Sequence, residues 1–489
     1  MAHRYLMGAA LSFLFLVCAV FVAAEANASE RAASKREDSL VADVIKRRAT
    51  TAKLALAIWD LAEVGYQEAR SSVLLQRYLT DAGFDVETGV AGMPTSFVAS
   101  YGEGQPVIGI LAEFDALPGI SQTAVPERNL REDRASGHAC GHHLFGAGSV
   151  SAAIAVKHWL QDNPRTGTIR VYGTPAEEGG SGKVYMVRAG LFDDVDVALH
   201  WHPADRNAAN PATSLANKSA RFRFRGISSH AAAAPHRGRS ALDGVEAMNY
   251  MANLLREHVP ESTRIHYVIT RGGEAPNVVP DDAEVYYYVR HPKATTLETI
   301  WVRLMKIAQA AALGTGTQVQ AEVMHGNHSL LPNETLARIM HRNLTSVGGV
   351  TWNDAERRFA AKLATSFIDP APNLEGAEAM VQPMKLVNGR GSTDVGDVSW
   401  VVPTAGLRAA TWVPGTSAHS WQAVAAGGTE IGIKGMQVAA KVLAMTARDL
   451  LANSAVINRA EEEFHRRRGA GFKYEALLGD RDPPLDYRR

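Results

Sequence analysis

From about residue 40 to residue 211, short apolar runs alternate with helical stretches, and that alternation confines the chain to an α/β architecture. Residues 107–114, 168–173 and 195–201 read as strands. An Ala-rich helix, roughly 144–160, separates the first two, with Gly146, Ala147 and Gly148 permitting close packing. Strands joined by helices imply a mostly parallel sheet. A different unit opens at Lys218, where residues 219–225 alternate polar and apolar. A helix near 240–258, strands near 265–270 and 283–290, a helix at 297–312 and a strand near 319–324 complete it. That β-α-β-β-α-β order predicts a ferredoxin-like α+β fold. The expected layout is one α/β domain in two pieces, 38–216 and 328–452, interrupted by an α+β domain at 217–327. The charged remainder, 453–489, holds Arg466, Arg467 and Arg468 and reads as a solvated extension.

The 489 residues include 51 basic and 51 acidic side chains, and this balance argues against a nucleic-acid or anionic-membrane partner. At the amino terminus His3 and Arg4 precede an apolar run from Leu6 to Ala24 that ends in Ala26-Asn27-Ala28. The small residues fit signal-peptide cleavage. Residues 1–28 are therefore expected to be removed, leaving a periplasmic or secreted protein without a stable membrane anchor; an uncleaved anchor is the alternative. Cys18 would leave with the signal, so Cys140 remains as a single thiol with no disulfide. Such a thiol is usually a buried core group, but its neighbours point to chemistry.

Those neighbours are Gly137-His138-Ala139-Cys140-Gly141-His142-His143, just before the Ala-rich helix. Glu177 and Glu178 follow the second strand, His200 and His202 end the third, and His419 follows another strand-like run at 407–413. In open α/β sheets functional groups gather beyond the carboxyl ends of strands. Converging there, a thiolate, imidazoles and a carboxylate would suit zinc or manganese. One of two adjacent glutamates can hold metal while the other takes a proton from water. Taken singly, a Glu-Glu pair is a solvated turn and a loop histidine a surface group. The run Gly179-Gly180-Ser181-Gly182-Lys183 lacks the spacing and hydroxyl of a phosphate loop and reads as a flexible turn. There is no Gly-x-Ser-x-Gly elbow and no His-Glu-x-x-His helix.

Together with Glu113-Phe114-Asp115-Ala116-Leu117-Pro118-Gly119, Gly173-Thr174-Pro175-Ala176-Glu177-Glu178-Gly179-Gly180, Trp201-His202-Pro203, Ser392-Thr393-Asp394-Val395-Gly396-Asp397-Val398 and Gly415-Thr416-Ser417-Ala418-His419, these motifs resemble the aminoacylase/carboxypeptidase family of dinuclear metallohydrolases. The likeness runs from about residue 40 to 450 and is strongest to the amidohydrolase branch, in particular the p-aminobenzoyl-glutamate hydrolases. The resemblance implies two divalent ions, Mn or Zn, held by Cys140, His142, Glu178, His202 and His419, with Glu177 as general base. It implies a homodimer in which the inserted domain serves as dimerisation element and lid. His230, in Gly226-Ile227-Ser228-Ser229-His230-Ala231, would reach the partner subunit's site to support the oxyanion, and Asn277 and Arg290 would hold the substrate carboxylate.

Four further residues are possible supports for the ligands, two of them departures from the family pattern, His143 and His200. His143 stands where relatives carry aspartate or asparagine. His200 shares a strand face with His202. Asp115 and Asp394 could orient ligands or simply complete turns. The expected activity is cleavage of an N-acyl or N-aroyl amino acid such as p-aminobenzoyl-glutamate, a small substrate with a free carboxylate. An exported dipeptidase or carboxypeptidase of the same family, or a catalytically silent ligand-binding relative, is the alternative.

Overall fold

The protein is described by a computed structural model that covers residues 39–369 and 372–488. The expected signal segment lies outside the described residues. In chain order the strands are β1 (Asp85–Thr88), β2 (Phe97–Glu103), β3 (Val107–Glu113), β4 (Gly167–Thr174), β5 (Val197–Ala204), β6 (Ala212–Thr213), β7 (Ala216–Arg225), β8 (Arg264–Arg271), β9 (Asp282–His291), β10 (Gln318–Asn327), β11 (Val387–Asn388) and β12 (Thr404–Ala410).

Six of them form one sheet in the order β1-β2-β4-β3-β5-β12. The four from β4 to β12 run parallel, and β2 and β1 close one edge antiparallel. Every residue of β3 is buried, which explains its unbroken apolar sequence: a strand covered on both faces has no alternation to show. The helix His142–Asp162 lies against this sheet, and the helix Glu430–Ala452 packs on that helix. Gly148 permits the close approach, because a Cβ there would sit 3.0 Å from the Trp201 ring, whose Nε1 donates to Phe145 O at 3.1 Å. The carboxyl ends of β3, β4, β5 and β12 thus point the same way, and the loops after them form one surface.

The second sheet has the order β10-β7-β9-β8 and is antiparallel throughout. Two helices, Ala241–Arg256 and Ala294–Thr315, contact it and supply much of its separate apolar core around Phe222, Phe224, Tyr287 and Trp301. This is the β-α-β-β-α-β unit read from the sequence. Its edge strand β8 leaves Tyr267, Val268 and Ile269 exposed at 37%, 55% and 42%.

The end of the chain corrects an expectation. Residues 453–488 are not a solvated extension. The helix Ser454–Arg468 docks through Glu463, which accepts from Glu334 N, Thr335 N and Thr335 Oγ1 at 2.8, 2.8 and 2.7 Å. The tail then crosses the main domain with Leu477 and Leu478 buried. Its carbonyls accept from Arg188 (Arg481 O, 2.7 Å), Tyr185 (Asp482 O, 3.3 Å) and Gln67 (Leu485 O, 2.8 Å). Charge density along the sequence misled here because the tail is tied by backbone carbonyls and by side chains to partners distant in sequence, which composition does not show. Deleting residues 481–489 should lower Tm by several degrees, at about 1 kcal/mol for each lost hydrogen bond. An unchanged melting curve would show that the tail adds nothing.

Candidate metal centre

The loop surface gathers the expected residues. Cys140 and His142 stand at the start of the helix His142–Asp162, where Gly141 has φ +75° and a Cβ would lie 2.7 Å from Pro203. Only glycine makes that turn without strain. Glu177 and Glu178 follow Ala176, a non-glycine at φ +56°, and His419 itself sits at φ +59° with its N–H donating to Ala139 O at 2.9 Å. Left-handed backbone at two ligand-bearing loops is the kind of strain that the surrounding structure has to enforce.

The donor atoms form three overlapping groups, each with its atoms within 4.8 Å of one another: Cys140, His142 and His202; Cys140, Glu178 and His419; and Glu113, His142 and Glu177. Cys140 Sγ lies 3.4 Å from His202 Nε2, and His419 Nε2 lies 3.2 Å from Glu178 Oε1. The thiol is shared by the first two groups, so the arrangement has two adjacent centres. Among the described residues His142 Nε2, Glu178 Oε1 and Glu113 Oε2 are buried without a well-formed hydrogen bond, although His142 Nε2 and Glu113 Oε2 lie 3.1 Å apart. Buried acceptors left unsatisfied and gathered at one place fit a pair of divalent cations. Asp115 ties two of the candidate ligands together: its Oδ1 lies 2.8 Å from His142 Nδ1, and its Oδ2 accepts from Glu178 N at 2.9 Å.

Two residues of the site were not foreseen, and a third, Glu113, stood only as part of a motif. Lys183 is fully buried, pairing with Glu113 Oε1 and Asp394 Oδ1 at 2.7 Å each, while its N–H donates to Asp394 Oδ2 at 2.9 Å. The run that reads as a flexible turn is in fact the entrance to the helix Gly182–Arg188, all but its last residue buried. Glu68 is also buried, accepting from Ala176 N at 2.8 Å and from Thr95 Oγ1 at 3.0 Å, so it holds the strained residue ahead of Glu177. A glutamate closing a wholly apolar strand, as Glu113 does, was a usable signal, since such a group must find a partner.

Electrostatically the cluster is crowded with acid. Burial, and then Glu113, Glu178 and Asp394, push Glu177 well above the usual carboxylate range. Burial and the Glu178 charge push the Cys140 thiol up. Burial would depress His142, but Cys140, Glu113 and Asp115 raise it well above its ordinary value. Burial and the Asp115 charge take Glu68 up to about 8.

The remaining expected residues divide. Arg290 reaches the site, donating to Ser392 Oγ at 3.2 Å, with its charge acting on Glu177 and His419. Asp394 contributes through Lys183. His143 does not support the ligands: its Nε2 donates to Gly427 O at 3.0 Å and its ring lies 4.9 Å from that of His138. Adjacent helical residues point about 100° apart, so His142 and His143 cannot both face the site. His200 does share the face of His202, but it packs over Gly406, leaving no room there for a Cβ, and bonds to no ligand among the described residues. Burial lowers it to about 3. His230 and Asn277 are exposed and hold their own loop: His230 Nδ1 accepts from Ala232 N and Ala233 N at 3.2 and 3.0 Å, and Asn277 O accepts from Ala231 N at 3.0 Å.

Residues 216–315 match the family model described as the peptidase dimerisation domain of M20 proteins. The chain is 40% identical over 456 residues to one of the subunits of the p-aminobenzoyl-glutamate hydrolase of Escherichia coli K12, covering 88% of this chain and 94% of that one. It is 31% identical over 431 residues to Xaa-Arg dipeptidase of Mus musculus, covering 84% and 88%. Its fold resembles that of a dinuclear metal-binding peptidase from Bacillus subtilis with a TM-score of 0.54 at 18% identity, covering 83% of this chain and 98% of that one.

Two outcomes follow from the protonation states. Cys140, raised further by burial, keeps its proton at neutral pH when no metal is bound, so metal binding through its thiolate should release a proton and tighten as pH rises. Calorimetric titration with Mn or Zn in buffers of different ionisation enthalpy should show about one or more protons released per chain; heats independent of buffer would exclude Cys140 as a ligand. Glu68, raised to about 8 in the folded protein, keeps a proton that the unfolded chain releases in the ordinary carboxylate range. Stability should therefore fall as pH climbs from there toward 8, and Glu68→Gln, which mimics the protonated form, should flatten that fall. Glu68→Ala should cost about 1–3 kcal/mol by stranding Ala176 N.

Proposed function

Because the chain belongs to the M20 peptidase family, whose members hydrolyse amide bonds, we propose that it cleaves the amide of N-aroyl or N-acyl amino acids, with p-aminobenzoyl-glutamate the leading candidate. The observation that carries this reading is the convergence of Cys140, His142, Glu178, His202 and His419 around unsatisfied buried acceptors, with Glu177 at their edge. The substrate follows from the 40% identity to the Escherichia coli hydrolase. The likeness to the Mus musculus Xaa-Arg dipeptidase supports dipeptide cleavage as a second reading.

Two divalent ions, Mn or Zn, held by those five residues would polarise the scissile carbonyl and make water nucleophilic at neutral pH. Glu177 takes the proton of the attacking water on its carboxylate and returns it to the leaving nitrogen. Asp115 fixes the ring of His142 and the backbone of Glu178. Arg290 pairs with the substrate carboxylate, helped by Asn277. His230 of the partner subunit donates to the developing oxyanion, which accounts for its exposed position away from its own cluster. The exposed apolar residues of edge strand β8 supply a surface for the homodimer. The apolar amino-terminal segment directs export, and the mature protein works in the periplasm or outside the cell.

The test is hydrolysis of p-aminobenzoyl-glutamate, N-acyl amino acids and dipeptides by signal-free protein, stripped of metal and then resupplied with Mn or Zn. Activity should return only with metal and favour N-acyl over dipeptide substrates. Glu177→Gln should lower kcat by about 10²–10⁴-fold while binding metal normally. Retained turnover in that variant would remove Glu177 from the mechanism.

A further inference from the structure

Arg408 lies on β12 in register with His202 on β5. Register partners on neighbouring strands leave the same face of a sheet about 4.8 Å apart at the backbone. Gly406, two residues earlier, marks the face, because the His200 ring lies over it. The Arg408 side chain is exposed, and its guanidinium is close enough to Cys140, Asp205 and Arg206 for their charges to act on it. Its own charge in turn acts on His202 and His200.

Among the described residues nothing pairs with that guanidinium. The nearby acid, Asp205, is taken: Arg206 holds both its oxygens at 2.7 and 3.1 Å, and Gly415 N donates to it at 3.2 Å. Arg290 is likewise without a carboxylate, bonded only to the neutral Ser392 hydroxyl. Some arginines elsewhere are held by an acid, as Arg170 grips Asp194 with two bonds of 2.6 Å and Arg223 pairs with Glu284 at 2.7 Å, whereas Arg408 and Arg290 stand beside the donor cluster without one. A fixed cation beside a cluster suited to divalent metal opposes metal binding by Coulomb repulsion. Its position makes physical sense if an anion arrives with the substrate.

We propose that Arg408 is a specificity-determining residue that binds a second carboxylate of the substrate. Arg290 takes the α-carboxylate and Arg408 the side-chain carboxylate, so the enzyme selects N-acyl derivatives of acidic amino acids over neutral ones. This rests on the amidohydrolase reading given above and adds its substrate class. The guanidinium fork suits the task, since it meets a carboxylate with two parallel hydrogen bonds.

The experiment compares N-benzoyl-glutamate with N-benzoyl-glutamine, a matched pair that differs only in the side-chain charge, on metal-loaded wild type and Arg408→Gln. The wild type should prefer glutamate, and the substitution should reduce that preference in kcat/KM by about 10–100-fold, with Arg408→Lys recovering part of it. Equal losses on both substrates would overturn the assignment. So would a wild-type preference that instead follows a carboxylate placed on the benzoyl ring. Calorimetric binding of glutarate reads Arg408 without turnover. A dissociation constant weakened by Arg408→Gln supports the proposal even if neither substrate is cleaved, and that last result would fall on the amidohydrolase reading alone. An unchanged glutarate dissociation constant sinks the proposal.

Discussion

One buried ammonium group holds together the parts from which the centre is built. Lys183 Nζ sits between Glu113, at the end of β3, and Asp394, just before the short helix Val395–Ser399, and itself belongs to the helix after the Glu177–Glu178 loop. Three segments far apart in sequence are thus fixed at one point. Burial alone would strip the proton from this lysine, but Asp394 and Glu113 keep its pKa raised. Removing one partner of such a buried pair typically costs about 3–5 kcal/mol, because the remaining charges are left without compensation. The arrangement is therefore poor as a source of net stability but strong as a constraint on geometry.

The strained loops depend on the same pairing of buried polar groups. Ala176 and Ser181 both have positive φ, and each is held by a partner from another element: Glu68 accepts from the N–H of Ala176, and the Ser181 hydroxyl lies 2.5 Å from His325 Nδ1. Between them the chain has no freedom to relax, so Glu177 and Glu178 project from a segment anchored at both ends. Arg488 adds a third tie, donating to Glu178 O at 2.6 Å from the far end of the chain. Preorganisation of this kind lets a catalytic carboxylate stand in position before substrate arrives.

Much of this was legible in the sequence, and the limits have physical reasons. The parallel sheet could be read because β3, β4 and β5 are largely apolar runs, and the ferredoxin-like order because β7 alternates. The five donor residues could be found because they stand in loops between strands and helices or at a strand end, Cys140 and His142 at the entrance to the helix that follows β3. What local pattern could not supply was direction: His142 and His143 are neighbours in sequence, yet a helix turns them to different surroundings. Nor could it supply partners brought from a distance. Lys183 looked like part of a loose Gly-rich turn because its two carboxylates come from residues 70 before and 211 after it. The tail looked solvated because the partners of its carbonyls and side chains lie far away in sequence, where composition leaves no trace of them.

Charge around the centre changes sign with what it holds. Without metal the centre is crowded with the acids Glu113, Asp115, Glu177, Glu178 and Asp394, and burial first, then neighbouring carboxylates, raises both Glu177 and Cys140 above their ordinary values. Two divalent ions held by Cys140, His142, Glu178, His202 and His419 would reverse that balance and favour the Cys140 thiolate. Lys183 is insulated from the reversal by its own two carboxylates. Arg290 and Arg408 are not; each then faces added positive charge with no acid of its own. A loaded centre flanked by two guanidinium groups that have no carboxylate partner among the described residues would favour a substrate that brings negative charge. An N-acylated acidic amino acid brings two carboxylates, one for each.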